Sequence, residues 1–426
     1  MFRCFKGKSD EEKGRRIMLT STVLQSIVNQ MTTGIFFTGF LAAYGFDIVN
    51  IGIVTLAPYI SNLASVFTPA LLHRFPKRKG ILVGCKLIYY ILAVAAFTLM
   101  PLVVTDTGMR MLTLSALLIL ANIFNGIATS GFSSWHVNFI PKEVRSDYFT
   151  AVQFLSNLIP GAMLLFSGMI TDALSNSPAQ LTLLTTLRWL AFAVALVDVF
   201  CLSRPKEYEY NAEATEKNAD IFRIPLKNHR WLMVMGAVVL WNVSSLSISS
   251  ALQVFLLEDV GVSYTYYNLI IILYSAAFPL FSGFWKKKIE QFSWLSVYGF
   301  TLLVYAICQL AYCFITPMNY LILMSAVRIT QHVIGVGQNI AFANLQYICM
   351  PREHRTCYTS LYYFIFYLSA LLGLGLGTLW CAVYENLTLS IFGFTLTTVP
   401  ILMMASGFLI LILAFYVWYL AKKLHL

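Results

Sequence analysis

The chain has 426 residues, a formal net charge of +10, 11% charged residues and 58% hydrophobic ones. A soluble domain would carry roughly a quarter charged residues, so a soluble fold is excluded and an all-α integral membrane protein is expected. The bases sit in short stretches between apolar runs, where they set orientation, so no nucleic-acid partner follows from the charge.

Apolar runs of about 20 residues, enough to span a bilayer as a helix, recur from Ile17 to Leu420. Residues 1–16 are too charged, and the run after them too long, for a cleavable leader; they read as a cytoplasmic tail. Spans are expected near 17–43, 49–72, 81–103, 111–140, 149–170 and 181–202, which makes residues 17–203 a six-helix bundle. Pro160-Gly161 is expected to kink the fifth. Residues 204–230, the longest polar stretch, read as a central cytoplasmic linker. A second bundle over 231–420 has spans near 231–257, 266–284, 294–315, 320–349, 359–383 and 396–420, and residues 421–426 form a cytoplasmic tail. The plan is twelve transmembrane helices in two pseudo-symmetric six-helix bundles.

One unit used twice explains this plan. Pro141-Lys142-Glu143-Val144-Arg145-Ser146-Asp147-Tyr148 recurs as Pro351-Arg352-Glu353-His354-Arg355-Thr356-Cys357-Tyr358, 210 residues later. Lys77-Arg78-Lys79 has a twin in Lys286-Lys287-Lys288. With twelve spans, 26 of the 29 Lys and Arg fall on the side of the two termini, Lys86 included just inside the third span. Arg110 and Arg188 fall on the other side, and Arg328 within a span. Both termini and both motif copies are therefore expected in the cytoplasm. The eight Cys lie mostly in predicted spans without metal-like spacing, and read as small apolar residues; no metal or cofactor is expected.

Two six-helix halves, a central cytoplasmic linker, and basic loops after spans two and eight resemble the major facilitator superfamily, in a bacterial inner-membrane member of no assigned subfamily. In the loop between spans two and three that family carries Gly-x-x-x-Asp-x-x-Gly-Arg-Arg or Lys. Here the segment runs from Pro69 to Lys79; it keeps Arg74 and the basic cluster but has Pro69, His73 and Pro76 in place of the Gly, Asp and Gly. The fifth span also lacks the Gly-rich motif of proton/drug antiporters. The resemblance implies a monomeric secondary transporter, not an enzyme, with a small-molecule substrate near the midplane and the first, fourth, seventh and tenth spans lining the cavity.

Those spans hold polar stripes. Arg328 lies eight residues into the tenth, roughly 12 Å below the outer surface, where a charge is costly and functional by default. Gln331, His332 and Asn339 share its general face, and the stripe suggests an anionic or carboxylate-bearing solute. Gln25, Asn29 and Thr33 line one face of the first span; Asn122 and Asn125 lie in the fourth, Asn242 and Ser245 in the seventh. Arg74, Trp135, His136, Glu143, Arg145, Glu353 and Arg355 are gate candidates at the cytoplasmic ends. Asp47 and Asp198 are the acids closest to a coupling role. The expected function is transport of a small polar, anionic solute by alternating access. The alternatives are a multidrug-type efflux carrier and a non-transporting receptor or scaffold on the same fold.

Overall fold

The computed structural model describes residues 9–63, 68, 72, 75, 77–136, 145–174, 179–207, 222–351, 354–391 and 393–424. Its helices are α1 (Asp10–Thr32), α2 (Gly34–Ala43), α3 (Ile48–Leu63), α4 (Lys79–Val103), α5 (Thr107–His136), α6 (Arg145–Ala173) and α7 (Ala179–Leu202). After residue 228 come α8 (His229–Leu246), α9 (Ser249–Glu258), α10 (Tyr264–Phe292), α11 (Trp294–Tyr312), α12 (Tyr320–Asn344), α13 (Arg355–Val383) and α14 (Thr398–Leu424). With α1–α2 and α8–α9 each taken as one interrupted span, these are the twelve helical spans of an all-α membrane protein. Among the described residues, nine are long and apolar enough to cross a bilayer outright, and α3 and the 158–173 part of α6 are shorter apolar helices. The chain is a multi-pass membrane protein.

The chain divides into two compact units, residues 1–46 with 60–215 and residues 47–59 with 216–426. In the first, α1 opens on a capping box: Ser9 Oγ accepts from the Glu12 amide and the Glu12 carboxylate accepts from the Ser9 amide. The first span is not continuous. Thr33 is extended (φ −124°, ψ −177°) and Gly34 follows at φ +60°, a conformation that a side chain at this position would resist. The third span loosens into a π-turn at Ile91–Ala96, while α6 continues helically through Pro160.

The second unit repeats the interruption. The helical pattern lapses at Ser247 and Ile248, and the ten-residue α9 follows, as the ten-residue α2 follows Thr33. Helix α13 presses against this point. A Cβ on Gly377 would lie 1.7 Å from the Ser247 carbonyl oxygen, and one on Gly373 would lie 2.7 Å from the Asn242 carbonyl oxygen. Gly373 and Gly377 are four apart, the small-residue spacing that lets membrane helices approach closely. Between α13 and α14 the chain forms a short hairpin, β1 (Leu389–Ile391) against β2 (Phe394–Leu396), which the sequence reading did not anticipate.

The repeated motif ends in a core anchor in each unit. Tyr148 is buried with Met18, Leu82 and Phe132. Tyr358 is buried edge-on to Trp231, with centroids 5.2 Å apart, and its hydroxyl accepts from Asn228 Nδ2 at 3.3 Å. Trp231 in turn donates its indole N–H to the Gln346 carbonyl at 3.0 Å. Arg74, Glu143 and Glu353 lie outside the described residues, as do the side chains of Trp135, His136, Arg145 and Arg355.

Candidate functional site

Helix α12 assembles the polar cluster of the second unit. Positions 328, 332, 335 and 339 follow one another at spacings that keep them on one helical face. Arg328 Nη1 donates to Gln331 Oε1 at 3.2 Å, and the guanidinium lies over the Tyr312 ring of α11, 4.8 Å from its centroid. One turn on, His332 Nε2 bonds the Ile270 carbonyl of α10 at 2.8 Å. A carbonyl only accepts, so that nitrogen carries the proton. The Tyr274 ring of α10 faces His332 at 5.5 Å, and its hydroxyl accepts from Asn339 Nδ2. A Cβ on Gly335 would make ordinary van der Waals contact with the Tyr274 ring at 3.7 Å, so Tyr274 covers this stretch of the face. The four sequence candidates of the tenth span, Arg328, Gln331, His332 and Asn339, thus form one contiguous set with Tyr274 and Tyr312.

The electrostatics of this set are one-sided. From residue 229 to 424 the only acids are Glu258, Asp259, Glu290, Glu353 and Glu385. Of these, the described ones each lie at a helix end or between helices. No carboxylate is within ion-pair distance of Arg328 among the described residues. Its partners are an amide and an aromatic face, both neutral.

The polar set of the first unit is different. Asp198 of α7 is fully buried and accepts from Ser21 Oγ of α1 at 2.5 Å and Tyr90 Oη of α4 at 2.6 Å. Lys86, also of α4, donates to Asn125 Oδ1 of α5 at 3.2 Å and lies 5.0 Å from the Tyr90 ring centroid. Tyr90 thus stands between a buried acid and a buried base. Arg188 requires a correction. Read as an outer-side base, it is instead a buried residue of α7, 2% exposed. Its Nε donates to Thr98 Oγ1 at 2.8 Å and its Nη2 to the Ala93 carbonyl at 3.2 Å, while Nη1 stands 3.5 Å from the Thr32 carbonyl. Phe40 and Phe97 each face the guanidinium at 4.8 Å. The reason is backbone chemistry: the break after Thr32 and the π-turn at Ile91–Ala96 disturb the helical hydrogen-bond ladder, and in a membrane the freed carbonyls need an internal donor.

The remaining candidates are dispersed. Gln25 and Asn29 are half-buried and Thr33 is exposed; Thr33 Oγ1 donates to the Asn29 carbonyl at 2.7 Å. Asn122 Nδ2 returns to Leu118 of its own helix at 2.8 Å. Asn242 is buried and occupied in packing, donating to the Phe366 carbonyl and to Ser369 Oγ of α13. Ser245 Oγ bonds the Trp241 carbonyl of its own helix at 2.7 Å. Asp47 is exposed and caps α3, accepting from the Asn50 amide at 2.7 Å. That position makes it a helix cap. Ser21, Tyr90 and Lys86 were not singled out from sequence, and an ionisable residue well inside an apolar run was the available signal. Among the described residues, no three His, Cys, Asp or Glu side chains could hold a metal ion.

No family model matches the sequence, and no curated protein matches it. Solved structures do. The crystal structure of the nucleoside transporter NupG superposes with a TM-score of 0.70 at 12% identity, covering 97% of this chain and 100% of that one. A bacterial homologue of the iron transporter ferroportin, inward-facing, gives 0.69 at 12% identity, with 97% and 98% covered. A D-xylose-proton symporter gives 0.66 at 12% identity, with 96% and 98% covered.

Proposed function

We propose that this chain, whose fold is that of the major facilitator superfamily, is a secondary transporter that moves a small polar, anionic solute by alternating access. The varied cargoes named for its structural neighbours, a nucleoside, a metal and a sugar among them, leave the cargo to be argued from this chain's own residues. The observation that carries the reading is Arg328: a cation inside a span, bonded only to neutral groups, in a unit with no buried acid among its described residues. An unpaired charge in that setting is expensive, and an anionic solute supplies the missing charge. In the first unit, Asp198 beside Lys86 is the group we assign to proton coupling, because it is the one acid among the described residues that is buried between helices α1, α4 and α7.

The test is uptake by proteoliposomes reconstituted with the purified chain. Wild type should accumulate at least one labelled organic anion, and Arg328→Ala should reduce initial uptake at least about tenfold at subsaturating substrate, the scale of one lost charged hydrogen bond. Uptake confined to cations, or full activity in Arg328→Ala, would sink the proposal.

A further inference from the structure

We infer that the Arg328 cluster recognises a hydroxylated monocarboxylate: one negative charge on a planar carboxylate, with a hydroxyl close to it. This rests on the reading of Arg328 as the anion contact and adds the substrate class. The first ground is the charge balance. Arg328 is the one permanent cation within α10, α11 and α12 short of their ends, and no acid accompanies it. One anionic charge neutralises it; a second would be buried uncompensated in a low-dielectric site.

The second ground is Gln331. Its Oε1 accepts from Arg328, which fixes the orientation of the amide, because a guanidinium can only donate. Its Nε2 is then left without a partner, although the residue is only 5% exposed. Buried donors are almost always satisfied. A carboxylate beside the guanidinium meets both demands: one oxygen accepts from Arg328, the other from Gln331 Nε2. No neutral carbonyl solute would match the charge as well.

The third ground is His332, one turn along α12. Its Nε2–H is committed to the Ile270 carbonyl. The Nδ1 of the neutral ring is therefore an acceptor, held in place by the Tyr274 ring, which Asn339 anchors in turn. An acceptor one turn from two donors fits a solute that offers an oxyanion and, one or two carbons away, a hydroxyl proton. A site with fixed donors and acceptors of this kind discriminates strongly against analogues that leave one of them unpaired.

The experiment is thermal unfolding of the full chain in detergent against six probes, since a ligand that binds only the folded state raises the unfolding temperature. Lactate and gluconate are hydroxylated monocarboxylates, propionate lacks the hydroxyl, lactamide lacks the charge, and succinate and inorganic phosphate carry more of it. At least one hydroxy acid should protect at about tenfold lower concentration than any of the other four. Gln331→Glu, which supplies Arg328 with an internal acid, should abolish that protection. His332→Phe should bring lactate and propionate to the same midpoint while leaving carboxylate binding in place. If succinate or phosphate protects best, the single-charge inference is overturned and the anion reading of Arg328 stands. If lactamide protects as well as lactate, both are overturned. No protection by any probe also overturns the inference, and anion uptake in proteoliposomes then decides the transporter reading separately. A lactate-to-propionate ratio unchanged in His332→Phe removes the hydroxyl from the proposal, even if the Gln331 variant fails to fold.

Discussion

Replacing Gly377 by Ala isolates the contact between α13 and the interruption of the seventh span. The added Cβ would sit 1.7 Å from the Ser247 carbonyl oxygen and 2.6 Å from its carbon, roughly 1.5 Å short of an ordinary carbon–oxygen approach of about 3.3 Å. Both sides of the clash are backbone, so no rotamer relieves it and the two helices must part. Overpacking of this kind costs about 1–3 kcal/mol, and the absence of a rotamer escape puts it near the top of that range. Alanine's better helix propensity returns about 1 kcal/mol, leaving a net loss of about 2 kcal/mol. For a unit of about 200 residues that lowers the unfolding temperature by about 4–8 °C. Gly375 in the same helix is the internal control: a Cβ there meets nothing within 4 Å, so Gly375→Ala keeps the propensity gain and should unfold about 2–4 °C higher than wild type. The buried thiols of Cys308, Cys313 and Cys381 report the transition through a thiol-reactive dye. A Gly377→Ala curve that superimposes on wild type, or a Gly375→Ala protein that loses as much, refutes the close-approach argument.

Gly34→Ala places a side chain at φ +60° with no steric neighbour, so its cost is the backbone conformation alone, about 1–2 kcal/mol, and dye labelling of the buried Cys85 thiol in the same unit should show a drop of about 2–8 °C. Asp198→Asn keeps the shape of the buried acid and removes its charge; it should abolish accumulation driven by a proton gradient while leaving substrate exchange in place, and undiminished accumulation would exclude Asp198 from coupling. Glu207 Oε1 accepts from the amides of Arg78 and Lys79 at 2.8 and 2.9 Å, fixing the start of α4. Glu207→Ala removes that cap, worth about 1 kcal/mol, so those two amides should exchange hydrogen about fivefold faster, and unchanged exchange would show that the contact holds nothing.

Hydropathy made the spans readable, because about 20 apolar residues have one use in a bilayer. Arg328 stood out for the same reason: a charge eight residues into such a run is costly and demands a partner. Arg188 did not stand out, although it lies nine residues into α7, because its place in the outer half of the predicted sixth span invited counting it with the bases of that side. Its partners explain the gap: backbone carbonyls have no sequence signature, and neither does the π-turn that supplies one of them. Asn242 and Arg328 illustrate the converse. Both are polar residues in cavity-type helices, yet one is occupied by α13 and the other lacks a charge partner, a difference that depends on neighbours far away in the chain.

The paired interruptions after Thr32 and Leu246 bear on how the spans can move. Ten helical residues are about 15 Å long, half of a hydrocarbon core of about 30 Å, so each break falls near the bilayer centre. A continuous helix bends there only by stretching several backbone bonds. These two have a swivel already built in, at a left-handed glycine in one case and a lapsed turn in the other. The ten residues beyond each swivel form a stiff rod that can tilt at its base while the preceding part of the same span stays packed, so each of these two spans can flex at its middle without unravelling either half.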